Sequence, residues 1–520
     1  MIYSYLSSSY KILLSKFIKL VLAFFIYYST FGRNYNAMEN LEDYFCTFRE
    51  ETIGYQHPYK TINGKQTMLY ADWIASGRLY QRIENKIMND FGPFVANTHT
   101  ETSETGTLMT KAYHFSHQKI KEHVHANKKD VIITAGFGMT AVVNKFQRIL
   151  GLKTTNKSIK EEDRPIVFVT HMEHHSNHTS WYATICDVVV VPAGEDLLVD
   201  PNLLKKELEK YKDRKFKIGA FTAASNVTGI ITPYYELAKI MHEYGGVVLI
   251  DFAASAPYVD IDMHPKDPME QLDAIVFSPH KFLGGTGASG VLIFDSALYH
   301  QDIPDHPGGG TVEWTNAWGE YKFYDDIELR EDGGTPGFLQ SIRAALAIEL
   351  KEKMGVVNIL EREHQLIDKA MSQLSNIEGI HVLASEHKNR IGAISFYHDD
   401  IHYNLIVKLL SDRYGVQVRG GCACAGTYGH VLLGIDYKKS HLITDKINRG
   451  DLTEKPGFVR LSIHPIMTNR ELELVINAIR DIVINYKEYQ KDYIYFIETN
   501  EFHSAKEKDT MEQVKEWFKI

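Results

Sequence analysis

The chain has 520 residues, of which 44% are hydrophobic and 24% charged, and its formal net charge is −9. That length exceeds one small core and predicts two or three domains of soluble globular character. The acidic balance excludes a broad electrostatic pull toward nucleic acid or anionic lipid.

Four cysteines (Cys46, Cys186, Cys422, Cys424) are too few to staple such a chain. They suit a reducing, cytoplasmic setting in which an individual thiol can be reactive. At the N-terminus Lys11, Lys16 and Lys19 precede an apolar run over 20–28, and 29–37 is small and polar. This has the pattern of a signal peptide or short anchor, although the run falls below the ~20 residues of a membrane span. Met38 opens sequence of ordinary globular character, so 1–37 also reads as an extension upstream of the true start. The cysteine usage favours that second reading, with no membrane association.

Residues 38–69 are rich in turns and aromatics and form an N-terminal segment expected to pack near a smaller domain. A strand-like entry at 67–72 leads to a helix over 79–88, a polar loop over 96–103 and a helix over 109–124. Apolar runs then follow at 131–134, 166–170, 188–191, 218–222, 247–250, 274–277 and 291–294, separated by helical stretches such as 234–244 after Pro233. Short apolar strands between helices predict an α/β fold with a mostly parallel seven-stranded sheet covered on both faces. Ligands of such sheets sit at the carboxyl ends of the strands, so the residues just after each run carry the chemistry.

After the first run, Gly136-Phe137-Gly138-Met139-Thr140 opens a helix and can cradle a phosphate with backbone N–H groups and a hydroxyl. After the second comes Met172-Glu173-His174-His175-Ser176-Asn177-His178. His174 and His178 have the spacing of a zinc pair, but no further ligand stands out, and an imidazole stacked on a flat cofactor suits the position better. Ser225-Asn226 follows the fourth run, and Asp251 closes the fifth. A carboxylate at a buried strand end calls for a cationic partner. The sixth run delivers Ser278-Pro279-His280-Lys281 and a glycine-dense turn. A partly buried lysine here suits Schiff-base chemistry, because desolvation lowers the amine pKa. A carboxylate that keeps a pyridine nitrogen protonated and an amine for an aldehyde carbon are the two groups a pyridoxal cofactor needs.

These motifs, with Gly333-Gly334-Thr335-Pro336 and the 418–426 segment, occur in an order that resembles the class V aminotransferases. These are pyridoxal-phosphate enzymes of fold type I, and the chain looks like their cysteine desulfurase and selenocysteine lyase branch. The resemblance covers about 70–484. It implies that Lys281 bonds the cofactor, Asp251 pairs with the ring nitrogen and His174 stacks on the ring. It also implies that Gly138, Met139, Thr140, Ser278 and His280 hold the phosphate, with Asn226 near the ring oxygen and the substrate. Thr335 would reach the partner's phosphate in a homodimer. Many relatives carry Gln three residues after the aspartate, whereas this chain has Ala254 and then Ser255.

A smaller α+β domain is predicted next. It has a helix over 338–354, a helix over 359–374, strands near 380–383 and 393–396, a helix over 402–414, and strands at 416–418 and 458–463. A last helix begins at Thr468, with Glu471 completing a capping box. The expected boundaries are 70–335 for the large cofactor-binding domain, 336–485 for the small one, and 486–520 for a charged, aromatic extension. Arg419-Gly420-Gly421-Cys422-Ala423-Cys424 places two thiols in a glycine-flanked loop. The resemblance puts Cys424 at the persulfide-forming position, while paired thiols here also resemble molybdenum-cofactor sulfurases. Two buried structural cysteines, or half of a metal site, are the plain readings. Arg460 is the natural clamp for an amino-acid carboxylate.

The expected activity is removal of sulfur from L-cysteine through Cys424, releasing alanine, with a sulfur-acceptor protein as a further partner. An aminotransferase or epimerase acting on another small amino acid, with no role for Cys424, is the alternative.

Overall fold

The computed structural model describes residues 40–154, 159–507 and 509–520. The expectations for 1–37 lie outside the described residues. The chain divides into two compact units, 1–44 and 45–520. The described part of the first contains the short helix Leu41–Tyr44. Everything below concerns the second.

All seven apolar runs are strands of one sheet: β1 (Asp130–Ala135), β2 (Ile166–Thr170), β3 (Asp187–Val191), β4 (Lys217–Thr222), β5 (Val247–Asp251), β6 (Ala274–Phe277) and β7 (Gly290–Asp295). Their spatial order is β1-β7-β6-β5-β4-β2-β3. β7 runs antiparallel to both neighbours, and every other pairing is parallel. The remaining six strands therefore all end at the same edge of the sheet. β2, β4 and β6 are buried along their whole length, which explains their unbroken apolar sequence. Helices α1 (Glu104–His123), α2 (Met139–Ile149), α3 (His175–Tyr182), α4 (Tyr234–Glu243) and α5 (Phe338–Met354) surround this sheet in sequence. Val142, Val143 and Phe146 of α2 pack with Val167, Leu249 and Leu292 in one hydrophobic cluster. α1 starts five residues before its expected position because Ser103 caps it, accepting a hydrogen bond from the Gly106 N–H at 3.3 Å.

A second hydrophobic cluster lies between α6 (Val356–Leu374), α7 (Tyr403–Tyr414) and the long helix Asn469–Tyr489, together with a four-stranded antiparallel sheet. Its strands are β8 (Ile380–Val382), β9 (Ala393–His398), β10 (Arg419–Gly421) and β11 (Phe458–Ser462), in the order β8-β9-β11-β10. The capping box at Thr468 and Glu471 is present, with reciprocal bonds of 2.8 and 3.0 Å. β10 has no apolar period and was not expected as a strand. It exists because its backbone completes the ladder beside β11.

The segment before the large sheet reaches across to this second cluster. Leu69–Tyr70 pairs in parallel with Val416–Gln417, and Tyr59 donates to the Ser411 carbonyl at 2.9 Å. The end of the chain forms a hairpin, Ile494–Phe496 with Glu501–His503, followed by the helix Met511–Trp517.

Candidate active site

The loops at the shared carboxyl edge of the large sheet, with part of the smaller sheet, enclose a cavity of ≈ 1120 Å³. Asp251, Lys281, His174, Asn226, Arg460 and Cys424 all line it. A flat heterocycle with its phosphate needs only a few hundred Å³ of this space.

Asp251 closes β5 and is 3% exposed, and its Oδ1 accepts the Ala253 N–H at 2.8 Å. Burial pushes its carboxyl up to about 6, against the opposing pull of that N–H and of the Lys281 charge. Lys281 follows β6 on a single tight turn, Pro279–Lys281. Burial pulls its ammonium down to about 8. Asp251 opposes that shift, and the nearby Arg460 and Arg419 reinforce it. The two groups feel each other's charge but form no direct ion pair, so each faces the same cavity uncompensated. That is the arrangement a cationic ring nitrogen at one end and an aldehyde carbon at the other would complete.

This arrangement has a thermodynamic consequence for the cofactor-free protein. The folded-state value of Asp251 lies above its ordinary 3.8, so its stability contribution is complete at pH below 3.8 and is lost as pH rises through about 6. Cofactor-free Asp251→Asn is therefore expected to be more stable than the parent by about 3 kcal/mol at pH 7.5. The difference should shrink as pH falls from 6 toward 4, which thermal melts at stepped pH will show.

The phosphate end is built from β1, β6 and the start of α2. Ser278 accepts the Met139 N–H through Oγ at 2.8 Å, which ties the two strand ends together. Gly138 adopts φ +149°, and a Cβ there would sit 3.2 Å from Ser278 Oγ and 3.5 Å from the His280 ring. Thr140 Oγ1 lies 2.6 Å from Ser176 Oγ. Backbone N–H groups at a helix start, three hydroxyls and an imidazole thus surround a space that glycine keeps open. Gly138→Ala is expected to weaken pyridoxal-phosphate binding about tenfold or more, through clash and backbone strain together. Absorbance titration of the cofactor measures this directly. Thr335 lines the same cavity from its own chain.

His174 caps α3, its Nδ1 accepting the Ser176 N–H at 3.1 Å, so a neutral ring carries its proton on Nε2. Burial, then the Lys281, His175 and Arg460 charges, pull it down to about 4, so the ring is neutral at physiological pH. His178 does not join it: its ring nitrogens meet the Tyr182 hydroxyl at 2.9 Å and Thr427 Oγ1 at 3.4 Å. Asn226 donates Nδ2 to the Ala423 carbonyl at 2.6 Å, while its buried Oδ1 has no partner in the protein. Ala254 lines the cavity where many relatives place Gln, and the hydroxyl of Ser255 is buried without a partner.

Arg460 is buried on β11 and lines the cavity, but it is not free of carboxylates. Its Nη2 meets Asp72 Oδ1 at 2.9 Å, and its Nη1 donates to the Asn226 carbonyl at 3.0 Å. Asp72 Oδ2 also receives Arg419 at 3.1 Å. No local sequence pattern marks Asp72 or Arg419 as a partner of Arg460. Asp72 lies nearly 390 positions from Arg460 in the chain, and the pairing of Leu69–Tyr70 with Val416–Gln417 and the bridge between Asp72 and Ser462 bring them together.

The cysteine loop is held by the same strand ends. Ala423 and Cys424 both take left-handed backbone, φ +49° and +57°, which costs non-glycine residues on the order of 1 kcal/mol each. The Ala423 carbonyl is bound by Asn226, and the Cys424 carbonyl by the His175 N–H at 2.8 Å. His175 Nε2 in turn accepts the Gly426 N–H at 2.9 Å. So fixed, Cys424 is exposed and lines the cavity, whereas Cys422 is half-buried and does not line it.

Comparison with known proteins agrees with this geometry. The Aminotransferase class-V family model matches residues 69–475. A probable cysteine desulfurase of Halalkalibacterium halodurans is 30% identical over 368 residues, which cover 70% of this chain and 85% of that protein. Among solved structures, the apo cysteine desulfurase of Thermococcus onnurineus superposes with a TM-score of 0.66 at 23% identity, covering 80% of this chain and 95% of that one. The Escherichia coli cysteine desulfurase CsdA gives 0.66 at 20% identity, covering 85% and 98%. At those identities the superpositions establish the shared fold. Family match and site geometry together place this chain in the class-V aminotransferase family of pyridoxal-phosphate-dependent enzymes.

Proposed function

We propose that this chain takes sulfur from L-cysteine onto Cys424 and releases L-alanine. The observation that carries this reading is a thiol and an amine, Cys424 and Lys281, lining one cavity with a buried carboxylate, Asp251. Asp251, Lys281, His174, Asn226, Ser278, His280 and the Gly138–Thr140 turn are the residues that would hold pyridoxal phosphate. Bound there, the cofactor supplies an electron sink for the pair left when the Cα proton departs. Lys281 Nζ takes that proton, and burial, which lowers the amine's affinity for protons, keeps part of it in the free-base form at physiological pH. Arg460 binds the substrate carboxylate, which fixes the sulfur relative to the thiol. Cys424 attacks the substrate Sγ as a thiolate. The Cβ–Sγ bond breaks as the S–S bond forms, leaving a persulfide on Cys424. Cβ takes up a proton, Lys281 Nζ returns a proton to Cα, and the carbon skeleton leaves as alanine.

The activity for which the relatives are named and the position of Cys424 in the cavity support this reading. Thr335 is proposed to act on the phosphate of a second copy in a homodimer. A sulfur-acceptor protein is the proposed partner, and the cytoplasm the proposed location. Among the described residues no helix is long and apolar enough to cross a membrane. The test is incubation of the pyridoxal-phosphate-loaded protein with L-cysteine and a thiol reductant, assaying alanine and sulfide together. Equimolar release supports the proposal, and absence of both products overturns it.

A further inference from the structure

The end of the chain reaches back to the root of the cysteine loop. The hairpin Ile494–Phe496 with Glu501–His503 lies beyond residue 475, where the family match stops. Its turn residue Asn500 is 6% exposed and takes left-handed backbone, φ +60°. Asn500 Nδ2 donates to the Tyr403 hydroxyl at 2.6 Å, and Oδ1 accepts the Tyr495 hydroxyl at 2.8 Å. The Asn500 carbonyl accepts Asn404 Nδ2 at 2.5 Å, and the Tyr403 hydroxyl in turn donates to the Lys455 carbonyl at 3.2 Å. His402 stacks on the Tyr403 ring at 4.3 Å, and the hairpin's Tyr495 and Phe502 pack against His402 at 5.3 and 5.4 Å. Tyr403 and Asn404 open α7 and form the wall behind β10. A Cβ at Gly420 would overlap the Asn404 side chain, and one at Gly457 would overlap the Tyr403 ring. Gly420 lies two positions before Cys422, and Gly457 leads into Phe458, the register partner of Gly421. Burial raises the Tyr403 phenol, the Asn500 hydrogen bond opposes the shift, and the charges of Tyr495 and Cys422 add to it. Cys422 therefore lies within electrostatic reach of this wall, whereas Cys424 lines the cavity.

We propose that Asn500 is a positioning residue for the cysteine loop: by fixing Tyr403 and Asn404 against Gly420, it keeps Cys422 turned to the protein and Cys424 turned to the cavity. The loop needs such an anchor. Gly421, Ala423 and Cys424 all take positive φ, +112°, +49° and +57°, and a backbone so strained persists only where its surroundings over-determine it. Asn226 and His175 bind the Ala423 and Cys424 carbonyls from the large-sheet side. The hairpin, acting through Tyr403 and Asn404, supplies the opposing anchor at the root of the loop. Without it the root can shift, and two thiols only two positions apart can exchange exposure. The consequence for sulfur transfer rests on the desulfurase reading. The orientation of the thiols does not.

The pyridoxal-phosphate-loaded parent and its Asn500→Gly variant are pulsed with iodoacetamide, and the labelling of each cysteine is followed by peptide mass spectrometry. Glycine takes φ +60° without steric cost, so the turn is kept while the side-chain bonds are lost. Cys422 is expected to label about tenfold faster relative to Cys424 in the variant, the order set by the net worth of about one or two hydrogen bonds. Cys186, buried in the hydrophobic cluster of the large sheet, reports general loosening and should label equally slowly in both proteins. Tyr403→Phe keeps the ring and removes the hydroxyl. It should move the ratio in the same direction, and it decides the matter if Asn500→Gly does not fold. An unchanged Cys422-to-Cys424 ratio in whichever variant folds, or a rise matched at Cys186, overturns the inference. In turnover with L-cysteine, Asn500→Gly should lower kcat about tenfold and leave KM within about twofold, because the substrate contacts are untouched. An unaltered kcat overturns the inference as well. A parent that releases no alanine from L-cysteine defeats the desulfurase reading, while the labelling still decides the role of Asn500.

Discussion

Lys281→Ala protein, supplied with pyridoxal phosphate and L-cysteine, is expected to lose turnover by at least about a thousandfold, because the group that both anchors the cofactor and moves the Cα proton is gone. The loss will not come from unfolding. In the cofactor-free chain the Lys281 ammonium sits at about 8, below its ordinary 10.5. The stability from a depressed group of this sign is complete above 10.5 and lost as pH falls through 8, so at pH 7 the lysine costs the fold stability. Cofactor-free Lys281→Ala should accordingly melt no lower than the parent at pH 7, while its visible absorbance with pyridoxal phosphate collapses. A variant that keeps the absorbance band and the turnover would remove Lys281 from the chemistry altogether.

Cys424→Ala is expected to separate the proposed reaction from its nearest alternative. The side chain is exposed at the cavity, so its loss should leave folding and cofactor absorbance intact. Sulfide and alanine release from L-cysteine should fall by about a hundredfold or more, since no other cysteine lines the cavity. Cys422→Ala should change the rate by no more than about twofold, as expected for a thiol outside the reacting geometry. Equal turnover in Cys424→Ala and parent would turn the assignment toward an aminotransferase or an epimerase, in which the same Lys281 and Asp251 work without a thiol.

The core was legible for a simple reason. A strand buried on both faces has to be apolar at every position, so β2, β4 and β6 announce themselves with ends correct to a residue or two. The residues that follow each strand fall at the ligand edge by topology alone, which is why Asp251, Lys281 and His174 stand out in the sequence as candidates, and they line one cavity in the structure. Elements held by partners rather than by their own pattern were not found. β10 is Arg-Gly-Gly and owes its existence to β11. The hairpin Val312–Thr315 with Tyr321–Phe323 has largely exposed side chains, and the strand at Ile494–Phe496 is only three residues long, so neither carries a hydrophobic period long enough to read. Arg460, expected as a clamp for an amino-acid carboxylate, also shares its guanidinium with Asp72 and the Asn226 carbonyl.

By itself the sequence determined the sheet, the order of its loops, and the chemical types gathered at their ends, because burial and strand direction are written into short local runs. The tertiary structure alone decided that Asp72 stands between two facing arginines, and that two left-handed residues carry Cys424 into the cavity while Cys422 stays out of it. Those outcomes depend on pairings between residues hundreds of positions apart. Ion pairing and thiol placement are fixed there by distances that no local pattern encodes.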